Sequence, residues 1–215
     1  MNYYVKHQED YSRGQLLLRA LFGGIYIMIP HGIMIMIFSI GLMFVRIIAF
    51  WTCLFTGKYP RGMWDYQVKF MRYQLRVNAR LSNLADGYPA FGLDGTDENT
   101  NFDIAYREDV SRGTVLIRAI FGIYYVMIPH MIVLIFRMIA TMFVQMIAFW
   151  IILFTGKFPK GMFDFVVGTG RWGYRVQCYL NFYTDDYPAF TGKVLPGENE
   201  SIEESKEDDM EVLDA

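Results

Sequence analysis

Cysteine and histidine are scarce in this chain. The 215 residues include two cysteines and three histidines. Cys53 lies in an apolar run and Cys178 in a more polar segment, so the two thiols lack the spacing of a disulfide framework or a metal site. A closed zinc site needs four ligands, and we therefore predict no bound metal and no other cofactor.

Charge is almost absent from two long parts of the sequence, residues 16–55 and 115–154. The charged residues within them are Arg19 and Arg46 in the first part and Arg118 and Arg137 in the second. About 20 consecutive apolar residues are enough to cross the hydrocarbon core of a bilayer, so both parts predict membrane-spanning segments. A charge inside a span is a candidate functional residue, although Arg19 and Arg118 lie close enough to one end to reach lipid phosphates.

Acidic residues strongly outnumber basic ones at the C-terminus. Residues 193–215 contain nine acidic residues and two lysines, whereas the preceding part of the chain carries a net charge of +5. A segment so acidic and so poor in aromatic residues buries too little apolar surface to fold. We therefore predict a disordered acidic tail at 193–215 that recruits a protein partner.

The sequence contains the same segment twice, with an offset of 99 residues and no gap. The repeated motifs are Ser12-Arg13-Gly14 and Ser111-Arg112-Gly113, Ile29-Pro30-His31 and Ile128-Pro129-His130, Phe55-Thr56-Gly57-Lys58 and Phe154-Thr155-Gly156-Lys157, and Tyr88-Pro89-Ala90-Phe91 and Tyr187-Pro188-Ala189-Phe190. Such a period indicates tandem duplication of one structural unit. We predict a first membrane repeat at 1–91, a polar linker at 92–107 and a second membrane repeat at 108–192.

Each repeat predicts three helical parts. The first helix begins at Ser12 or its equivalent, because serine is a favoured N-cap, and it ends near Ile29, because the residue before a proline avoids the helical region. A second, apolar helix follows the proline and ends at Thr56-Gly57. A third helix carries cations among Trp and Tyr residues, the composition of a helix in the headgroup layer. The predicted fold class is an all-α integral membrane protein of two tandem repeats, each a Pro-broken transmembrane helical hairpin followed by an amphipathic interfacial helix.

Two arrangements of the first helix fit the sequence. In one, Pro30-His31 is the tip of a hairpin, the chain crosses the membrane four times, and all basic flanks lie on one side, in agreement with the positive-inside rule. In the other, the first helix lies in the interface, each repeat crosses once, and the two repeats are inverted. We prefer the hairpin, which predicts a multi-pass protein of the cell inner (cytoplasmic) membrane with basic flanks and both termini in the cytoplasm.

The motifs of each repeat resemble one known family. Ile-Pro-His is followed by an apolar run, then by Phe-Thr-Gly-Lys-(Tyr/Phe)-Pro-(Arg/Lys)-Gly-Met-(Trp/Phe)-Asp, by Arg-x-x-x-Arg and by Tyr-Pro-Ala-Phe. This combination resembles the DUF4389 family of bacterial membrane proteins over residues 9–190. The resemblance implies a bacterial integral membrane protein and implies no activity, because the family is one of unknown function.

Two sets of polar residues are candidate sites, and neither is catalytic. Cations of the third helices are predicted to contact anionic lipid headgroups, and they are Arg61, Arg72, Arg76, Lys160, Arg171 and Arg175. The helix-break residues are a candidate metal or proton-relay site, although two imidazoles alone lack further ligands; they are Pro30, His31, Pro129 and His130. Asp65 and Asp164, at the start of the third helices, are explained by the helix dipole.

The sequence favours a non-catalytic membrane scaffold or accessory subunit, because membrane placement accounts for its polar residues. The predicted partners are the lipid bilayer and a protein, in a membrane complex or a homo-oligomer, and not a nucleic acid. One alternative is a small transporter or channel with a path between the repeats at the two helix breaks. Another is a lipid-modifying membrane enzyme that uses Asp65, Asp164 and the arginines.

Overall fold

Residues 1–199 are described in the computed structural model of this chain. They contain β1 (Asn2–Val5), α1 (Arg13–Thr56), α2 (Arg61–Leu81), β2 (Thr100–Asp103), α3 (Arg112–Thr155) and α4 (Lys160–Leu180). The strands pair antiparallel, with Asn2 opposite Asp103 and Val5 opposite Thr100. Most of the predicted acidic tail, residues 200–215, lies outside the described residues.

The ends of the two long helices, α1 and α3, follow from the local sequence. Ser12 precedes α1 with extended backbone, and its hydroxyl accepts a hydrogen bond from the Gln15 amide at 3.4 Å. The helices stop at Gly57 and Gly156, whose φ angles of 73° and 75° are left-handed. Glycine adopts this conformation without a Cβ clash. The predicted glycine end is therefore confirmed in both repeats. The predicted serine cap is confirmed for Ser12, whereas Ser111 occupies the N-cap position without a side-chain hydrogen bond.

The predicted hairpin is wrong, because the chain does not reverse direction at either proline. Each long helix is continuous over 44 residues. A five-residue π-helical segment precedes each proline, at Gly24–Met28 in α1 and at Ile123–Met127 in α3. The backbone on both sides of these segments stays in the right-handed helical region, so neither proline forms a tip.

A tyrosine hydroxyl compensates for each proline. Proline has no N–H group, so the carbonyl four residues before Pro30 loses its helical donor. That carbonyl belongs to Tyr26, and it accepts a hydrogen bond from the Tyr88 hydroxyl at 3.0 Å. In α3 the Tyr187 hydroxyl donates in the same way to the Tyr125 carbonyl, at 2.8 Å. Because an external donor satisfies the freed carbonyl, the helix continues through the proline.

The four helices form two layers. In the long-helix layer, α1 and α3 lie antiparallel, and the N-terminal part of each packs against the C-terminal part of the other. Backbone hydrogen bonds join these ends, from Tyr11 N to Gly156 O at 2.7 Å and from Val110 N to Gly57 O at 2.8 Å. In the short-helix layer, α2 packs on α1 and α4 packs on α3.

The hydrophobic core lies between the layers and joins the two repeats. Trp64 of α2 contacts Tyr183, which follows α4, with ring centroids 4.6 Å apart. Tyr174 of α4 donates a hydrogen bond to the carbonyl of Met71 on α2, at 2.9 Å. Phe102 of β2 is fully buried and packs against the Tyr174 ring. The segment predicted as a linker therefore contributes a strand to a core shared by both repeats.

Candidate functional site

Each buried histidine stacks on the phenylalanine of the Tyr-Pro-Ala-Phe motif in its own repeat. The rings of His31 and Phe91 lie 4.1 Å apart with an interplanar angle of 19°. The rings of His130 and Phe190 lie 3.9 Å apart at 12°. Both histidines are fully buried. The Ile-Pro-His and Tyr-Pro-Ala-Phe motifs, distant in sequence, thus form one aromatic cluster against each long helix.

The hydrogen bond made by His130 fixes its protonation. The indole N–H of Trp172 donates to His130 Nδ1 at 2.9 Å, and an indole N–H cannot accept. His130 Nδ1 must therefore carry a lone pair, so the ring is neutral with its proton on Nε2. A proton relay needs a ring that exchanges protons at both nitrogens, and this arrangement does not provide one.

The two histidines are not brought together. In the first repeat the Tyr73 hydroxyl takes the place of Trp172 and lies 2.6 Å from His31 Nδ1. Each imidazole is thus held by the short helix of its own repeat, and residues 1–199 contain no cluster of three or more His, Cys, Asp or Glu suited to a metal ion. Rings of the same repeat also surround each imidazole, Tyr88 and Phe91 around His31 and Tyr187 and Phe190 around His130.

Arg19 and Arg118 are structural residues that bind the segments after the short helices. Arg19 Nη2 pairs with Asp86 at 2.9 Å, and its side chain is 4% exposed. Arg118 Nη2 pairs with Asp185 at 2.6 Å, and its guanidinium lies 3.8 Å from the centroid of the Tyr179 ring. Their acidic partners precede the Tyr-Pro-Ala-Phe motifs, and the sequence did not indicate these partners.

Arg76 and Arg175 have a different role from the predicted lipid contact. Arg76 is fully buried and donates to the carbonyl groups of Gly92 and Gly95. Arg175 is 6% exposed and pairs with Glu198 while donating to the Thr191 carbonyl at 2.6 Å. Both side chains hold the chain that follows their helix. Residues 193–199 of the predicted acidic tail are consequently attached to α4.

The cations at the start of the short helices remain at the surface. Arg61 pairs with Asp65 at 2.9 Å and Lys160 pairs with Asp164 at 3.1 Å, and all four side chains are more than two-fifths exposed. These residues are accessible to headgroups. Each carboxylate is paired with a cation one turn away on the same helix. This ion pair accounts for the aspartate at that position without an acid–base role.

The exposed apolar residues are concentrated on one face of each long helix. Along α1 they include Leu18, Ile29, Ile40 and Trp51, and along α3 they include Ile117, Ile128, Ile139 and Trp150, all between 46% and 56% exposed. After each π-helical segment a spacing of eleven residues is close to three α-helical turns, so the last three residues of each set form one straight stripe. The exposed Leu18 or Ile117, before that segment, extends the stripe towards the helix start. The opposite face of each helix packs against the short-helix layer. Both helices are long and apolar enough to cross a membrane.

The other two arginines of the apolar segments, Arg46 and Arg137, line cavities. Arg46 is exposed, lies 3.5 Å from the Gln67 side chain through Nε, and lines a cavity of about 400 Å³ with Gln74 and Gln177. Arg137 donates through Nε to the Thr169 hydroxyl at 2.9 Å and lines a cavity of about 610 Å³. The second cavity brings together Arg137, Lys160 and Arg171, which the sequence singled out separately.

Comparison with known proteins identifies one family. A search of curated proteins and a search of solved structures each returned no match. A family model described as a domain of unknown function, DUF4389, matches residues 14–92 and again residues 112–192. These two segments correspond to the predicted repeats and make up more than half of the chain. The chain therefore belongs to the DUF4389 family and contains two copies of its domain.

Proposed function

We propose that this chain is a non-catalytic structural protein of the membrane surface, a scaffold or accessory subunit whose long-helix layer lies flat in one leaflet. The observation that carries the proposal is the one-sided exposure of apolar residues along the whole length of α1 and α3. Because the two helices are neighbours and the same layer covers their inner faces, their outer faces form one apolar surface. A surface of this extent is typical of an interaction with a membrane or a protein.

Helix length supports an in-plane orientation. A helix of 44 residues is about 66 Å long at 1.5 Å per residue, whereas the hydrocarbon core is about 30 Å thick. The exposed stripe of α1 runs from Leu18 to Trp51 and covers about 50 Å. A helix perpendicular to the membrane would hold much of this stripe in water. A helix parallel to the surface would bury all of it to the same depth.

The short-helix layer gives a second argument for this orientation. α2 and α4 run alongside the long helices, so a perpendicular arrangement would carry them and their loops to the depth of the hydrocarbon. The exposed charges of this layer include Lys69 and Asp94, whose ion pair is largely solvent-accessible. Lipid-exposed loops are not tolerated at that depth. An in-plane orientation keeps this layer in water and at the headgroups.

The proposal extends to partners and location. A cytoplasmic leaflet carries anionic lipids that attract exposed cations, and Arg61 and Lys160 are available for such contacts. The short-helix layer would face the cytoplasm and offer its surface to a protein partner. The acidic tail remains the proposed recruiting segment, and its residues 200–215 lie outside the described part of the chain.

Depth measurements along one stripe test the orientation. Single fluorescent labels at Leu18, Ile29 and Ile40 would be compared in vesicles whose lipids carry a quencher at a known depth. The in-plane arrangement predicts the same shallow depth for all three. A multi-pass arrangement predicts that depth changes steadily from one label to the next and passes through the bilayer centre. A purified protein that does not float with vesicles would overturn membrane binding altogether.

A further inference from the structure

One flank of α3 and α4 contains a strongly cationic cavity. Its volume is about 610 Å³, and its lining includes four cations and one acidic residue, Arg137, Lys160, Arg171, Lys193 and Asp164. Arg137 comes from the long-helix layer, between Phe136 and Met138, which are 70% and 57% exposed. The cavity therefore extends from the apolar surface to the polar layer above it.

The charges of this cavity are only partly neutralised. Lys160 pairs with Asp164, whereas the other three cations have no carboxylate within 4 Å among residues 1–199. Arg171 donates to the Gly192 carbonyl through Nη1 at 2.8 Å, and its Nε is buried without a hydrogen-bond partner. Burial and the nearby Arg175 guanidinium lower the pKa of Arg171. A bound anion would offset both the burial of Arg171 and its repulsion by Arg175, because a nearby negative charge favours the charged guanidinium.

The equivalent place in the first repeat is electrically neutral. Seven residues of the cavity lining are compared, Arg137, Lys160, Asp164, Arg171, Gly192, Lys193 and Val194. At the 99-residue offset they correspond to Phe38, Arg61, Asp65, Arg72, Leu93, Asp94 and Gly95, which include two cations and two acids. Phe38 replaces Arg137, and Asp94, paired with Lys69, replaces Lys193. With four cations and one acidic residue, the second repeat has a net charge of +3 at the same positions. The two repeats share the fold and differ in this charge.

We propose that the cavity beside Arg137 binds the phosphate of an anionic phospholipid. This inference rests on the proposed membrane orientation and deepens it by naming the site and the lipid class. Arginine and lysine donors suit phosphate oxygens, and the exposed Phe136 and Val194 lie where acyl chains begin. The position of Arg137 on a helix of the apolar surface favours a lipid over a soluble phosphate.

A charge-exchange variant tests the site. The double substitution Arg137→Phe/Lys193→Asp gives the second repeat the residues of the first and lowers the net charge by three. Its matched control, Lys6→Asp/Lys69→Gln, removes the same charge from two solvent-accessible positions outside the cavity. Binding of each purified full-length protein is measured by flotation with phosphatidylcholine vesicles and with vesicles that also contain phosphatidylglycerol. Since each cation near the surface contributes about 1 kcal/mol, the preference for anionic vesicles is expected to fall at least tenfold in the variant and less than threefold in the control.

Each outcome has a definite meaning. Equal losses in variant and control, or a wild-type protein that binds both vesicles equally, would overturn the lipid site while membrane binding itself stands. Failure to bind either vesicle would instead contradict the proposed function. Displacement from anionic vesicles by inorganic phosphate, at an ionic strength matched with chloride, would assign the cavity to a soluble anion. If the double variant loses its helical circular dichroism, the exposed single substitution Lys193→Asp is expected to lower the preference severalfold, and an unchanged preference would overturn the proposal.

Discussion

The hydroxyl group of Tyr88 allows a proline to lie within a 44-residue helix. It donates to the Tyr26 carbonyl that Pro30 leaves without a helical donor. The prediction that the helix ends before Pro30 was wrong, because the compensating donor comes from a motif far away in the sequence. A side-chain donor leaves no local pattern that a reading of neighbouring residues can detect. The same hydrogen bond forms between Tyr187 and Tyr125 in the second repeat, so both copies of the domain compensate their proline in this way.

Removing this hydroxyl is expected to destabilise the fold. Tyr88→Phe should lower the free energy of unfolding by about 1 kcal/mol, the net value of one hydrogen bond. In a Pro30→Ala background the helix regains its own N–H donor, so the same substitution should cost less than half as much. Chemical unfolding of the four proteins measures this coupling. Tyr124→Phe, at an exposed position, serves as the control, and equal costs in both backgrounds would contradict the explanation.

The bond from Trp172 predicts the protonation state of one histidine. Nitrogen NMR of the histidine-labelled protein should show His130 as the neutral ring with the proton on Nε2, because the indole N–H occupies Nδ1. The substitution Trp172→Phe should remove this preference. Nδ1–H in the wild-type protein would mean that the indole bond is not formed.

At the scale of elements, the short helices act through the segments that follow them. Arg76, Arg80 and Arg175 lie on inner faces of α2 and α4 and bind loops instead of headgroups. The sequence correctly predicted a third helix in each repeat that begins near Asp65 or Asp164. It did not predict the arginine partners, since alternating cations and aromatic residues fit both a headgroup helix and a helix that holds loops.

The ion pair of Arg80 and Asp97 should make stability depend on pH. Burial acts to raise the pKa of Asp97, but hydrogen bonds from Arg80, Thr100 and the Asn99 amide lower it by more. A carboxyl group with a lowered folded-state pKa stabilises the protein above its ordinary pKa near 4, and this contribution is lost as the pH falls through the lowered value.

Substitution of the carboxylate tests this pH dependence. Asp97→Asn should reduce the free energy of unfolding by about 3 kcal/mol at neutral pH, since it leaves a buried guanidinium without its partner. It should also flatten the stability profile below about pH 4. Asp94→Asn is the control, because the Asp94 carboxylate is 82% exposed and solvent screens its ion pair, so the substitution should leave the free energy of unfolding nearly unchanged. If the free energy of unfolding varied with pH in the same way in Asp97→Asn and in the wild type, the Arg80–Asp97 ion pair would not be the cause of the pH dependence.

At the scale of the whole molecule, the repeats are interlocked. The start of each long helix bonds the end of the other, and the Trp64–Tyr183 contact crosses the core. The duplication was predictable from the 99-residue offset, because identical motifs mark both copies. The mutual packing was not predictable, since a repeat pattern gives the unit and says nothing of how two units contact each other.

Interlocking predicts that neither repeat folds alone. Fragments 1–96 and 97–215 should copurify when they are expressed together, and each should aggregate when expressed separately, because each leaves half of the shared core uncovered. Trp64→Ala should weaken the association by about 3–5 kcal/mol, the cost of truncating a large buried aromatic residue. The exposed substitution Trp51→Ala is the control. A fragment that is monomeric and helical by itself would contradict the shared core.

The bond between Tyr11 and Gly156 also sets an order of events during synthesis. The ribosome releases Tyr11 long before Gly156 exists, so the first helix emerges with its early turns uncovered. While the second copy is translated, a chaperone or a bilayer must cover the apolar side of this helix. The two long helices can close on each other only after the second copy has been translated.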